Sequence, residues 1–221
     1  MAASNGNRPE LWSDFDGTAV GLASKFDPRN WAKYPLPLMA GYPDFLRGVM
    51  EEGVTIGGTV SRRPNIAPRR YVTRRSIVEL GLAEFFTTAE HVILAGSELA
   101  KAIVVARQSK GERVVGLLDD KPHRVGTELV RLARKEIVPA KKYVRSFDVV
   151  VGAVSCAKRA EYNERLFDYA LATEACNVSN PNGDDLQIEA NGSRLRVVCL
   201  EPYSYEAGQS FARQLLNTAA Q

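Results

Sequence analysis

Trp12-Ser13-Asp14-Phe15-Asp16-Gly17-Thr18-Ala19-Val20 sets two carboxylates two residues apart and follows them at once with Gly17-Thr18. Residues 11–15 read as a short apolar first strand, so both carboxylates would share one side of an extended chain at its tip. Like charges held so close repel, and a cation or a shared proton has to compensate them. Asp-Gly is also one of the commonest turn dipeptides, so the stretch alone reads equally well as an acidic turn. The residues downstream decide between the two.

Phe45, Leu46, Val49 and Met50 fall at helical spacing and Gly53 stops that helix. Residues 54–61 form a second strand, in which the paired Gly57 and Gly58 suggest a close backbone or ligand, and Ser61 closes it. A helix around residues 70–80 leads to a brief third strand at 91–94. Gly96-Ser97 then opens a helix to about residue 108, with Ser97 as N-cap and Lys101 in its first turn or so. Arg113-Val114-Val115-Gly116-Leu117-Leu118-Asp119-Asp120 reads as a buried strand ending in two more carboxylates. A helix near 126–135 and a core strand at 148–154 follow. Strands alternating with helices predict an α/β fold with a central parallel sheet covered on both faces. Such sheets bind ligands at the carboxyl ends of their strands, where Asp14, Ser61 and Asp119 all fall.

Residues 1–9 read as a disordered tail, 10–154 as the core, and 155–221 as a C-terminal extension packing on it. That extension reads as helix–hairpin–helix: a helix at about 158–175, a hairpin at 186–200 and a last helix at about 205–218 with Phe211 and Leu215 on one face. Asn191-Gly192 is the hairpin turn, with Ser193 and Arg194 lengthening the loop. The pattern does not choose between an extended sheet, a lid and a dimer contact. Residues 18–37, broken by Pro28, Pro35 and Pro37, read as a loop over the site.

The 221 residues suffice for a sizeable core without staples, and 25% charged with 45% hydrophobic residues is ordinary for a globular chain. The net charge of +3 does not demand a nucleic-acid or membrane partner. Cys156, Cys176 and Cys199 lack the close pairing of zinc or redox motifs and read as buried thiols in a reducing compartment. With no apolar leader and no stretch long enough to span a bilayer, a cytoplasmic location is expected.

With these stations placed, the chain resembles the haloacid dehalogenase-like hydrolase superfamily, specifically its phosphatases. Asp14-Phe15-Asp16-Gly17-Thr18 matches that family's first motif, Asp-x-Asp-Gly-Thr. Ser61 resembles the second, Lys101 the third, and Asp119-Asp120 the fourth. The resemblance implies a Rossmann-like three-layer core and magnesium-dependent hydrolysis of phosphomonoesters through an aspartyl-phosphate. Asp14 would be the nucleophile and Asp16 the general acid and base. Asp14, the main-chain carbonyl of Asp16, and Asp119 or Asp120 would hold Mg2+. Ser61, Lys101, Gly17, Thr18 and Arg62 would meet the phosphate. Asp16 favours phosphatase over dehalogenase, because an alkoxide needs a proton to leave and a halide does not. Thr59 competes with Ser61, and Lys110 with Lys101; His123 reads as a neighbour rather than a ligand.

The intervals between the motifs leave no room for a full cap domain, which in that family goes with large substrates or closure by a second subunit, hence a homodimer. Arg62, Arg63, Arg69, Arg70, Arg74 and Arg75 crowd the segment after Ser61. They suit a phosphorylated, polyanionic substrate or form a solvated basic face. Nucleic acid is not favoured, because aromatics do not interleave the arginines as stacking platforms. Two alternatives remain: a catalytically weak phosphate-binding or regulatory protein, and a polynucleotide end-phosphatase.

Overall fold

The computed structural model describes residues 8–21, 37–86, 91–109, 113–136, 144, 146–154, 159–173, 176–179, 185–200 and 202–221. Among them, β1 (Glu10–Ser13), α1 (Tyr42–Glu51), β2 (Thr55–Ser61), α2 (Ala67–Glu79), β3 (Val92–Leu94), α3 (Glu98–Gln108), β4 (Val114–Asp119), α4 (Pro122–Ala133) and β5 (Asp148–Ala153) alternate as expected. A short 3-10 turn, Leu82–Glu84, follows α2. Then come α5 (Arg159–Leu171), β6 (Asn177–Ser179), β7 (Leu186–Ala190), β8 (Ser193–Cys199) and α6 (Tyr205–Ala219). All eight strands join one sheet in the order β3-β2-β1-β4-β5-β8-β7-β6. The first six in that order are parallel, and β7 and β6 continue the sheet antiparallel. This is a Rossmann-like three-layer α/β core.

Alternation along the buried strands builds the two cores. Val115 and Leu117 of β4 face one side while Val114 and Leu118 face the other, and Val149 and Val151 of β5 alternate with Val150 in the same way. On the first side lie Ala102 and Val105 of α3, Leu129 of α4, and Leu166 and Ala170 of α5. The second holds Phe45 and Val49 of α1, Ile77 of α2, and Phe211 and Leu215 of α6. The expected helical face of Phe211 and Leu215 is therefore real, and both are fully buried.

The C-terminal segment is woven into the sheet. β8 lies parallel to β5 over its whole length, Asp148 opposite Arg194 through Ala153 opposite Cys199. Two corrections concern this segment. The turn is only Asn191-Gly192, both with positive φ (49° and 73°), so Ser193 and Arg194 are strand residues and not loop. Two consecutive left-handed residues make the tight turn whose twist matches the flanking strands, and Asn-Gly accepts it most cheaply. The edge strand β6 was not expected. Helices α1 and α6 touch backbone to backbone: a Cβ on Gly48 would lie 2.1 Å from the Tyr205 carbonyl oxygen, and one on Gly208 2.1 Å from that of Phe45.

Helices α2 and α4 begin three to four residues earlier than the periodicity suggested, each with a proline in its first turn, where the missing N–H costs nothing. Cys176 and Cys199 are half-buried rather than buried. The disordered-tail expectation for residues 1–7, most of the loop at 22–36, Lys110 and Cys156 lie outside the described residues. No described helix is long and apolar enough to cross a membrane.

Candidate active site

The strand order reverses between β1 and β4, whose chains leave the sheet in opposite lateral directions, and the carboxyl ends of strands at such a point are where open α/β sheets hold their ligands. Asp14 is the first residue beyond β1. Its N–H donates to the Leu118 carbonyl at 2.8 Å, which carries the ladder one step further and fixes the Asp14 side chain beside the end of β4. Asp119 closes β4 and Asp120 follows it. Asp14, Asp119 and Asp120 each offer a carboxylate oxygen within 4.8 Å of the others. Asp14 and Asp119 are buried, at 5% and 3% exposure.

Lys101 enters this acidic pocket from the opposite side. Ser97 caps α3 by accepting the Ala100 N–H at 3.1 Å, as expected, so the first turn of the helix holds Lys101 over the strand ends. Its ammonium lies 2.5 Å from Asp119 Oδ2 and 3.2 Å from Asp14 Oδ1, with the side chain 1% exposed. The Lys121 N–H donates to Asp119 Oδ1 at 2.7 Å, so both Asp119 oxygens are engaged. Asp120 faces the Lys121 ammonium at 3.3 Å.

Two ammonium groups, Lys101 and Lys121, face three clustered carboxylates and leave a net negative charge. Burial pushes the Asp14 pKa up; Lys101 opposes, and the charges of Asp119, Asp120 and Asp16 add to the rise, leaving it at about 8. Burial and Asp119 likewise raise Asp120, against Lys121. Burial alone would lower Lys101, but Asp119 and Asp14 carry it above its ordinary value, so it stays charged. The donor set is oxygen only, anionic and convergent, which fits a hard divalent cation such as Mg2+.

Asp16 stands apart from this cluster; its carboxylate is not among the three that converge. Gly17, at φ 84°, bends the chain, and its N–H donates to the Val20 carbonyl at 2.7 Å. A Cβ there would sit 2.6 Å from Asp120 Oδ2, so the tight turn and the acidic pocket both require glycine. The turn sends Asp16 toward β2, where the Ser61 hydroxyl lies 3.4 Å from Asp16 Oδ2. Thr59 instead donates to the Ser13 carbonyl at 2.9 Å and ties β2 to β1, which leaves Ser61 as the hydroxyl beside the acid. Thr18 is fully enclosed, and among the described residues its hydroxyl has no hydrogen-bond partner.

Arg62 is not at the pocket's acid: its Nε pairs with Glu98 at 3.0 Å. Its neighbour Arg63 takes that place. Arg63 Nε donates to Asp16 Oδ2 at 2.7 Å and Nη2 to Oδ1 at 2.5 Å, while Nη1 donates to Thr73 Oγ1 at 2.9 Å. The guanidinium carbon also lies 4.9 Å from the centre of the Phe15 ring. β2 ends at Ser61, and the turn that follows, closed by the Arg63 N–H on Ser61 Oγ at 3.2 Å, is what brings Arg63 to Asp16.

Two tyrosines also approach the site without having been foreseen. Tyr42 of α1 is fully buried, and its pKa is raised by burial and then by Asp14, with the Ser13 hydroxyl opposing. Tyr203, between β8 and α6, stacks edge-on against Tyr42 with ring centres 5.3 Å apart. Burial raises its pKa first, followed by Tyr42 and the three clustered aspartates. His123, in the first turn of α4, is not a member of the carboxylate cluster. Comparisons with models of protein families, with curated proteins and with solved structures found no match.

Proposed function

We propose that the chain is a haloacid dehalogenase-like, Mg2+-dependent phosphatase that hydrolyses phosphomonoesters through an aspartyl-phosphate on Asp14. The observation that carries this reading is Asp14 at the switch point of a parallel sheet, held between Lys101 and the carboxylates of Asp119 and Asp120. Asp14, Asp119 and Asp120 would hold the ion, with the Asp16 carbonyl; Mg2+ bound there supplies positive charge that neutralises the phosphoryl oxygens. Lys101 keeps Asp14 close to an ammonium, which favours the ionised, nucleophilic carboxylate. An Asp14 oxygen attacks phosphorus as the P–O bond to the leaving group breaks, and Asp16 delivers a proton to that departing oxygen. Water then attacks the aspartyl-phosphate, Asp16 takes its proton, and Asp14 and inorganic phosphate are regenerated. In this reading the Ser61 hydroxyl, 3.4 Å from Asp16 Oδ2, would donate to a phosphoryl oxygen.

The test is hydrolysis of p-nitrophenyl phosphate by the purified chain with Mg2+. Turnover lost in EDTA and in Asp14→Asn supports the reading; a Mg2+-loaded protein inert on a broad panel of phosphomonoesters refutes it. One observation favours a second reading, a phosphate-binding or regulatory protein: Arg63 engages both oxygens of Asp16 and so competes with its use as an acid. That reading expects phosphate with Mg2+ to raise the melting temperature while no substrate is consumed. A phosphorylated, polyanionic guest, a homodimer and a cytoplasmic setting remain parts of the proposal, and a polynucleotide end-phosphatase would show salt-sensitive binding to nucleic acid.

A further inference from the structure

We propose that Arg63 is the guanidinium that receives the substrate's phosphoryl oxygens, and that its fork on Asp16 is a resting contact which incoming phosphate displaces. The inference rests on the phosphate-site reading above and adds to it a residue and an order of events.

Arg63 is anchored at both ends. Its backbone N–H donates to Ser61 Oγ at 3.2 Å, its Nη1 to Thr73 at 2.9 Å, and Phe15 lies under the guanidinium. Its side chain is only 13% exposed. These contacts hold the group at the site whichever anion it faces. The edge formed by Nε and Nη2 is the exchangeable part, and it holds a carboxylate in the two-oxygen geometry that a phosphate also presents. The Asp16 side chain is 34% exposed, so the exchange requires no opening of the core.

A second guanidinium stands close by: burial lowers the pKa of Arg69 and the Arg63 charge lowers it further, while Asp16 opposes. Drawing Arg63 off also frees the Asp16 oxygens. Binding of the phosphoryl group and release of the acid are then one event, and Asp16 is uncovered only when there is a leaving group to protonate.

The exchange is tested by a double-mutant cycle on the full chain, measuring inorganic phosphate binding with Mg2+ by calorimetry in wild type, R63Q, D16N and the double variant. Arg63→Gln is expected to weaken phosphate at least tenfold. Asp16→Asn is expected to tighten it about tenfold by releasing the fork, and to change nothing once Arg63 is gone. Equal tightening by Asp16→Asn in both backgrounds would mean simple removal of a negative charge and overturns the proposal, as does an unchanged affinity in Arg63→Gln. Arg63→Lys, which keeps the charge without the fork, guards against misfolding of the glutamine variant; it must shrink the Asp16→Asn effect. Turnover of p-nitrophenyl phosphate by wild type is measured alongside. A coupled cycle without turnover removes the phosphatase reading and leaves the exchange; turnover with an additive cycle removes the exchange alone; no phosphate binding to wild type removes both.

Discussion

The Lys101 ammonium meets Asp119 at 2.5 Å, 18 residues away in the chain, and this contact holds the third and fourth motif-like positions in one buried unit. Removing the lysine would leave like charges facing one another without water.

Lys101→Met is therefore expected to destabilise the metal-free protein by about 3 kcal/mol at pH 8, the usual scale for stripping one partner from a buried pair. The loss should be smaller at pH 5, where a protonated Asp14 relieves the repulsion, and smaller again with Mg2+. Urea unfolding at the two pH values, with and without the ion, checks all three. Equal losses under every condition would show that the lysine acts by packing alone.

Asp14 gives the metal-free protein a pH dependence of a definite sign. Its carboxyl is raised from 3.8 to about 8, so between those values the folded chain keeps a proton that the unfolded chain has released. Its contribution to stability therefore falls as pH rises from about 4 to about 8 and levels off beyond. Asp14→Asn should flatten that slope and should raise metal-free stability at pH 8. Mg2+ binding at pH 7 should release close to one proton. Calorimetry in buffers of different ionisation enthalpy reads the proton directly.

At Gly17 both backbone and space are restricted. Gly17→Ala puts a Cβ at positive φ and 2.6 Å from Asp120 Oδ2, so the turn or the carboxylate has to move. A stability loss of about 1–2 kcal/mol is expected, together with weaker Mg2+ binding. If only stability changes, Asp120 is not a ligand.

The contact between α1 and α6 makes a prediction about the fold. Gly208→Ala should cost about 2 kcal/mol or more, because the obstacle is the Phe45 carbonyl and not a side chain that can turn aside. The same substitution at Gly53, where a Cβ meets nothing within 4 Å but φ is 88°, should cost only the backbone strain, about 1 kcal/mol. Thermal unfolding of the two variants compares them.

What could be read from the sequence followed the range of the forces involved. Asp14 and Asp119 were legible because a buried strand announces its own end, and Lys101 because Ser97 caps the helix that presents it. Arg62 was named for the phosphate; the side chain that forks onto Asp16 is Arg63, placed by the turn after Ser61, which no strand period describes. The place of β8 was legible only as one of three alternatives, an extended sheet beside a lid or a dimer contact. A hairpin specifies its own register through Asn191-Gly192, but nothing local says that Ser193–Cys199 will lie along β5. Tyr42 and Tyr203 were hidden for the same reason, since their meeting depends on α1 and the residues before α6 arriving from opposite ends of the chain.

The weave of the C-terminal segment also governs when a nascent chain could first work. Every motif-like residue has been synthesised by Asp120, yet the edge of β5 that faces away from β4 stays open until residues 193–199 emerge, and the part of the Phe45 face that α6 covers waits for that helix to dock. These are late, long-range contacts, the kind that slow folding and leave apolar surface waiting. The pocket would thus be chemically complete about a hundred residues before it is mechanically supported, and a truncated chain would carry its aspartates without a frame to hold them.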